Sequence, residues 1–179
     1  MMDDELNKIS LQAFKDFHKK KYQEASDGFQ ACIDLLSHGG SEKDLAEMKN
    51  NLSVALIELH KPQQAYDIVF DTETVFERLG DKRSQAMALA NIGTALQALG
   101  QKEEALASFE KSSDLFKETG EKLLRATVLK KISDLQLTTG KPFQAIASMQ
   151  ASYDQKETKS FKEKILGTAL GQIFRKFIR

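Results

Sequence analysis

Four alanines stand forty residues apart, Ala25, Ala65, Ala105 and Ala145, and each is followed four residues later by a large apolar side chain, Phe29, Val69, Phe109 or Met149. A fixed period of this length is the mark of stacked supersecondary units, because each unit needs its neighbours to bury its apolar face. The 179 residues hold four periods with a remainder of about half a period. The chain is therefore read as an array and not as one irregular globule. Arrays of helix pairs present long curved surfaces, so the period points towards binding as well as towards a fold.

Glycines punctuate the period in two phases. Gly40, Gly80 and Gly120 mark one set of turns; Gly100 and Gly140 mark the other, with Lys20 and His60 in the matching places. Gly after a run of helix-spaced apolar residues stops a helix, since the αL conformation costs it little. Turns in two alternating phases leave helices of roughly sixteen to eighteen residues, near 25 Å each. Within the third unit Leu89, Ile92, Leu96 and Leu99 recur at helical spacing, followed by Ala105, Leu106, Phe109, Leu115 and Phe116. No two-residue alternation is long enough for a strand. The pattern predicts nine helices, at about 5–19, 22–37, 42–59, 62–78, 82–99, 102–118, 122–139, 142–157 and 161–178. Loops this short make successive helices antiparallel.

Composition narrows the function. Lys plus Arg and Asp plus Glu both number 26, so nothing calls for nucleic acid, whose binding needs a basic surface to replace counterions. Lys19-Lys20-Lys21 reads as solvated turn residues or helix C-terminal charges, and Arg175, Lys176 and Arg179 as cations at a helix C-terminus, with no aromatic ladder interleaved with either. Cys32 lies among Phe29, Ile33 and Leu36 and is expected to be a small buried hydrophobe. The opening MMDDELNK carries no apolar leader, and no run approaches the roughly twenty apolar residues of a membrane span. A cytoplasmic protein is the expectation. His18, His38 and His60 are not at metal-ligand spacing, and phosphate-binding, nucleophile-elbow and metalloprotease motifs are absent. Neither a catalytic residue nor a metal or cofactor site is expected.

The third unit reads Asn91-Ile92-Gly93-Thr94-Ala95-Leu96, then Gly100-Gln101-Lys102-Glu103-Glu104-Ala105-Leu106, then Phe109. This resembles the tetratricopeptide repeat, which pairs Leu-Gly-x-x-aromatic in one helix with Ala-x-x-x-Phe in the next. The match is close in the third unit, fair in the second (Leu52-Ser53, Ala65, Val69) and fourth (Ile132-Ser133, Ala145, Met149), and weakest in the first. The forty-residue period is similar to the long-helix subclass of kinesin light chains, Pins-type spindle proteins and Rap-type bacterial regulators. The small residues have a physical reason of their own. Ala13, Ser53, Gly93 and Ser133 stand opposite the four periodic alanines, and two helices approach closely only where both are small.

The resemblance implies an all-α right-handed solenoid whose first helices line a concave, peptide- or protein-binding face. Carried onto this sequence, the face takes Leu11, Phe14 and Phe17 from the first unit and Asn50, Asn51, Val54, Ile57 and Glu58 from the second. The third adds Met87, Ala90, Asn91, Thr94 and Gln97, and the fourth Thr127, Lys130, Lys131, Asp134 and Leu137. Asn51 and Asn91 stand one period apart, and Asn is a poor helix former whose amide both donates and accepts. They are either solvated or a clamp on a peptide backbone, with Lys131 meeting an acidic group. The multi-lysine carboxylate clamp of chaperone adaptors is not matched, since Val54 and Thr127 replace its polar and basic groups. Phe14 belongs either to a broad core face of the first helix or to an exposed apolar patch.

The last segment carries Ile165, Leu166, Ala169, Leu170, Ile173, Phe174, Phe177 and Ile178, an apolar arc of about 220°. A terminal helix should cap a solenoid and turn a polar face outwards. This arc is wider than a cap needs, so Ile173, Phe174, Phe177 and Ile178 either complete the cap or form a second contact surface. That surface would serve self-association, a protein partner or a membrane. The sequence thus predicts one domain, with repeats at about 3–40, 41–80, 81–120 and 121–159 and a last helix at 160–179. Its expected function is a non-catalytic binding scaffold or adaptor, with assembly or membrane association through the last helix as the alternative.

Overall fold

A left-handed residue recurring every twenty positions sets the plan of the molecule. In the computed structural model, which describes residues 2–155, Lys20, His60, Gly80, Gly100, Gly120 and Gly140 all have φ between 57° and 81°. At each one the following N–H reaches back five residues to a carbonyl, as from Lys61 to Leu56 and from Gln101 to Leu96, at 2.8–3.0 Å. This closes the helix end and satisfies carbonyls that have no partner further along. The turn after the second helix is different: Gly39 has φ 131°, and the Gly40 N–H bonds the Leu36 carbonyl at 2.8 Å.

Between these turns lie α1 (Met2–His18), α2 (Tyr22–Leu36), α3 (Glu42–Glu58), α4 (Pro62–Val69), α5 (Thr72–Arg78), α6 (Lys82–Ala98), α7 (Lys102–Glu118), α8 (Lys122–Thr138) and α9 (Pro142–Gln155). The described residues contain no strand. The helices predicted up to residue 157 are all present, but the one expected at 62–78 is divided into α4 and α5. The predicted helix 161–178, with Ile173, Phe174, Phe177 and Ile178, lies outside the described residues.

Helices from successive turns pack on one another, and α3 and α4 also pack on α6, which makes the stack an α-solenoid. The periodic alanines sit at the crossings, with Ala25, Ala65 and Ala105 at 0% and Ala145 at 1% exposure. Gly93 faces the Phe109 ring so closely that a Cβ there would lie 2.8 Å from ring carbons. At the α8–α9 crossing the Ser133 hydroxyl donates to the Ala145 carbonyl at 2.8 Å. Cys32 is fully buried, as expected, and burial raises its thiol pKa. Salt bridges tie the first helices of successive pairs at the surface: Lys43–Asp81 at 2.8 Å, and Arg83–Glu121 at 2.6 Å one period on. Asp81 also caps α6 by accepting from the Ser84 N–H, and the Lys43 ammonium and that cap hold its carboxyl below the usual range.

The break between α4 and α5 coincides with a change of partner at one hydroxyl. Thr72, Ser112 and Ser152 occupy the same repeat position and are all buried. Ser112 donates across the pair to the Ala86 carbonyl at 2.7 Å, and Ser152 donates to the Ala126 carbonyl at 2.6 Å. In the second unit the matching carbonyl of Ala46 already accepts from the Asn50 carboxamide at 3.0 Å. Asn50 donates to Thr72 Oγ1 as well, at 3.2 Å, and the Thr72 hydroxyl turns to its own helix and donates to the Val69 carbonyl at 2.8 Å. A side chain that takes a carbonyl of the preceding turn competes with the helix ladder and bends it.

Three outcomes test this account. His60 adopts φ 57°, where a side chain is strained. Replacing it by Gly should stabilise the protein by about 0.5–1 kcal/mol in urea unfolding, the αL strain exceeding the extra backbone entropy of Gly. Gly93→Ala gains about 0.8–1.0 kcal/mol of helix propensity but overpacks a fully buried ring, which costs about 1–3 kcal/mol, so a net loss is expected. Asn50→Ala should cost about 1–3 kcal/mol. It also frees the Ala46 carbonyl, so Thr72 should cross to it and join α4 to α5, seen as slower amide exchange at residues 72–74.

Candidate binding groove

The first helices of successive pairs share one face. Side chains of α1, α3, α5 and α6 converge on a depression of about 330 Å³ lined by Phe14, Glu47, Asn50, Asn51, Phe76, Arg83, Ser84 and Met87. Phe14 does both things the sequence left open. One edge of its ring packs on Phe29, with centroids 5.2 Å apart, and 39% of the residue stays exposed at the rim. Met87 is 37% exposed beside it. A Phe and a Met at the lip of a polar hollow give an apolar contact with some freedom to repack.

The asparagines divide their work. Asn50 is 6% exposed, and its amide is spent inside on Ala46 and Thr72. Its carbonyl oxygen accepts from Asn91 Nδ2 at 3.0 Å, which links α3 to α6. The open-face role suggested by its place in the sequence is therefore replaced by an internal bridge at the floor of the hollow. Asn91 is half-buried, and its own carbonyl oxygen accepts no hydrogen bond among the described residues. Asn51, half-buried at the wall, makes no side-chain hydrogen bond among the described residues.

Further along, Val54 and Thr94 are half-buried, and the Thr94 hydroxyl is committed to the Ala90 carbonyl at 2.8 Å. Thr127 likewise donates to Leu123 at 3.1 Å. Lys130 and Asp134 are exposed. Lys131 leans on the preceding pair, with its ammonium 5.6 Å from the centre of the Phe109 ring, and burial pushes its pKa below the usual lysine range.

Glu47, Phe76, Arg83 and Ser84 were not singled out from sequence, although Glu47 lies one period before Met87 and one helical turn before Asn51. Continuing the Asn51 stripe back by four residues would have found it. Burial raises the Glu47 pKa, offset in part by Lys43. Arg83 is held by Glu121 and also approaches the Met87 sulfur at 3.8 Å. A second hollow, about 470 Å³, lies on the other side of the stack between α2 and α4; Gln23, Asp27, Gln64 and Asp67 flank it, with Leu52 and Leu56 among its lining residues. No cluster of three metal-ligating side chains occurs among the described residues, and none of their helices is long and apolar enough to cross a membrane.

Known proteins of this shape bear out the array. The tetratricopeptide repeat family model matches residues 75–158. No curated protein matches the chain in sequence. Among solved structures, BtubC from P. vanneervenii superposes with a TM-score of 0.78 at 16% identity, over 87% of this chain and 65% of that one. A putative kinesin light chain of P. anserina, with nearly identical tetratricopeptide-like repeats, gives 0.74 at 15% identity, over 87% and 78%. The Rap conjugation gene regulator of plasmid pLS20, solved with the Phr* peptide, gives 0.71 at 16% identity, over 82% and 41%. The chain thus spans under two-thirds of BtubC and of the Rap regulator, and identities this low speak for the fold alone. Residues 75–158, just under half of the chain, match the tetratricopeptide repeat, and the helix pairs before them continue the same stack.

Proposed function

We propose that this chain is a non-catalytic scaffold or adaptor of four stacked helix pairs, and that it binds an extended peptide segment of a protein partner along the face of its first helices. One observation carries the reading: Asn51 and Asn91 stand one period apart on first helices, both half-buried, and neither the Asn51 side chain nor the Asn91 carbonyl oxygen has a hydrogen-bond partner among the described residues. A carboxamide that donates and accepts suits a peptide backbone, which offers one donor and one acceptor per residue. Phe14 and Met87 supply an apolar contact beside them, and Val54, Thr94, Lys130, Lys131 and Asp134 extend the face. The internal bond from Asn91 to Asn50 fixes the Asn91 amide before a ligand arrives, which lowers the ordering cost of binding.

The Rap regulator of similar fold was solved with the Phr* peptide, and another Rap protein with Competence and Sporulation Factor. These support peptide capture by analogy of fold only. The same reading puts the chain in the cytoplasm. The alternative reading, assembly or membrane association through Ile173, Phe174, Phe177 and Ile178, rests on the wide apolar arc of residues 161–178 in the sequence.

Peptides selected from a displayed random library provide the test. The double change Asn51→Ala, Asn91→Ala should weaken a selected peptide about tenfold or more, from two lost hydrogen bonds of about 0.5–1.5 kcal/mol each. Asn51→Ala alone should weaken it without lowering the melting temperature, because Asn51 holds nothing inside. Unchanged binding in both variants moves the site away from this face.

A further inference from the structure

The hollow between α2 and α4 coincides with a departure from the period. Ser26 stands one period before Tyr66, Leu106 and Ile146, and Gln30 one period before Phe70. In the second unit the Tyr66 and Phe70 rings lie with centres 5.4 Å apart. The first unit, with Ser26 and Gln30 in those places, has instead a space of about 470 Å³ that both residues line, together with Leu52 and Leu56 of α3. Ser26 is 7% exposed, and its hydroxyl makes no hydrogen bond among the described residues. A hydroxyl in a nearly buried residue without a partner is unfavourable, and it marks a place where an outside group can supply the bond.

The polar groups around Ser26 are chiefly acceptors. Gln23 Nε2 donates to Asp27 Oδ1 at 2.8 Å and Gln30 Nε2 to Asp34 Oδ1 at 2.9 Å, which leaves both carboxamides their oxygens. On α4, Asp67 Oδ1 accepts from Gln63 Nε2 at 2.8 Å. The second oxygens of Asp27 and Asp67 take no hydrogen bond among the described residues. Lys61 and the Gln64 carboxamide supply the remaining donors of the lining, and Lys61 is its one cation against these two carboxylates. Helix α2 carries Glu24, Asp27 and Asp34 with no Lys or Arg. The hollow is therefore short of donors and of positive charge.

We propose that this hollow is a second docking site, which takes an arginine side chain of a protein partner, its stem over Leu52, Leu56 and Ile68 and its guanidinium among the oxygens of Ser26, Asp27 and Asp67. A guanidinium has five donors and no acceptor in a fixed planar fork, so it can meet acceptors of two helices at once. An ammonium is a compact, strongly hydrated charge, and an aromatic ring would leave the oxygens unpaired. The site shares no residue with the groove, so it goes beyond the groove reading and stands or falls apart from it.

A displayed random peptide library, selected on the parent and counter-selected on Ser26→Tyr, tests this, because the variant puts the second unit's own residue into the space. Peptides that the parent holds and Ser26→Tyr releases should be enriched in Arg. A synthetic representative should bind about tenfold more weakly when its Arg becomes Lys, or citrulline, which keeps the shape and loses the charge. The double change Asp27→Asn, Asp67→Asn should weaken the Arg peptide to a similar degree and the citrulline peptide no further. The affinity should fall with salt, and Asn51→Ala, Asn91→Ala should leave it unchanged. Should Ser26→Tyr fold poorly, Asp27→Asn, Asp67→Asn serves for the counter-selection, since both carboxylates are exposed. If no peptide is released by the variant, or the released peptides lack Arg or bind as well with Lys or citrulline, the proposal is overturned and the groove reading is untouched. Arg peptides lost with Asn51→Ala, Asn91→Ala lie in the groove instead and overturn it too.

Discussion

Everything in this stack depends on how closely the two helices of a pair approach at one small residue. Ala105 and Gly93 leave room for the Phe109 ring, which is completely buried between α6 and α7. Burying a Phe contributes about 1.5–3 kcal/mol, and a pair crossing at a larger side chain would hold the ring away from its slot. The first pair uses a variant of the same device: Gly28 lets α2 come so near α1 that a Cβ would meet Ala13 Cβ at 2.7 Å. Close crossings fix the pitch of the array, and the pitch places Phe14, Asn51 and Met87 around one hollow. The binding face is thus a consequence of packing on the other side of the same helices.

Because the crossing and the turns repeat, most of the architecture could be read from the period. The left-handed position every twenty residues is visible as Gly in most units, and the shared phase identified Lys20 and His60 as its occupants elsewhere. What stayed hidden was whatever depends on which neighbour a polar group finds. Thr72 looks like Ser112 in sequence, and both are buried. Asn50 occupies the Ala46 carbonyl, and the Thr72 hydroxyl donates to the Val69 carbonyl across the break between α4 and α5 instead. The period also could not tell Asn50 from Asn51, adjacent residues of the same type, although one faces inwards and the other lines the wall. Phe14 was legible only as a choice between core and surface, because a ring can do both at the rim of a pair.

The polar chain in the second and third units joins the groove to the interior. It runs from Asn91 through Asn50 to Thr72 and the Val69 carbonyl, each link between 2.8 and 3.2 Å. Buried networks of this kind are favourable only when every member is satisfied, and they then hold their side chains in one arrangement. Here the arrangement held is that of Asn91, whose carboxamide nitrogen is fixed on Asn50. The break between α4 and α5 accompanies that order, at Thr72, where the chain of bonds ends.

Positions that all four units share therefore carry the stack, and positions that depart from the shared pattern carry whatever distinguishes this chain from others of its shape. The departures cluster. Asn50 stands where the third and fourth units have Ala90 and Lys130; Lys131 stands where the second and third have Asn51 and Asn91. Each changes the chemistry of the face without touching a crossing, since Ser53, Gly93 and Ser133 remain small beneath them. Selection for binding can act on such positions freely because the energy of the array lies elsewhere. Lys131 marks the limit of that freedom: its ammonium lies 5.6 Å from the centre of the Phe109 ring, the same ring that the crossing buries.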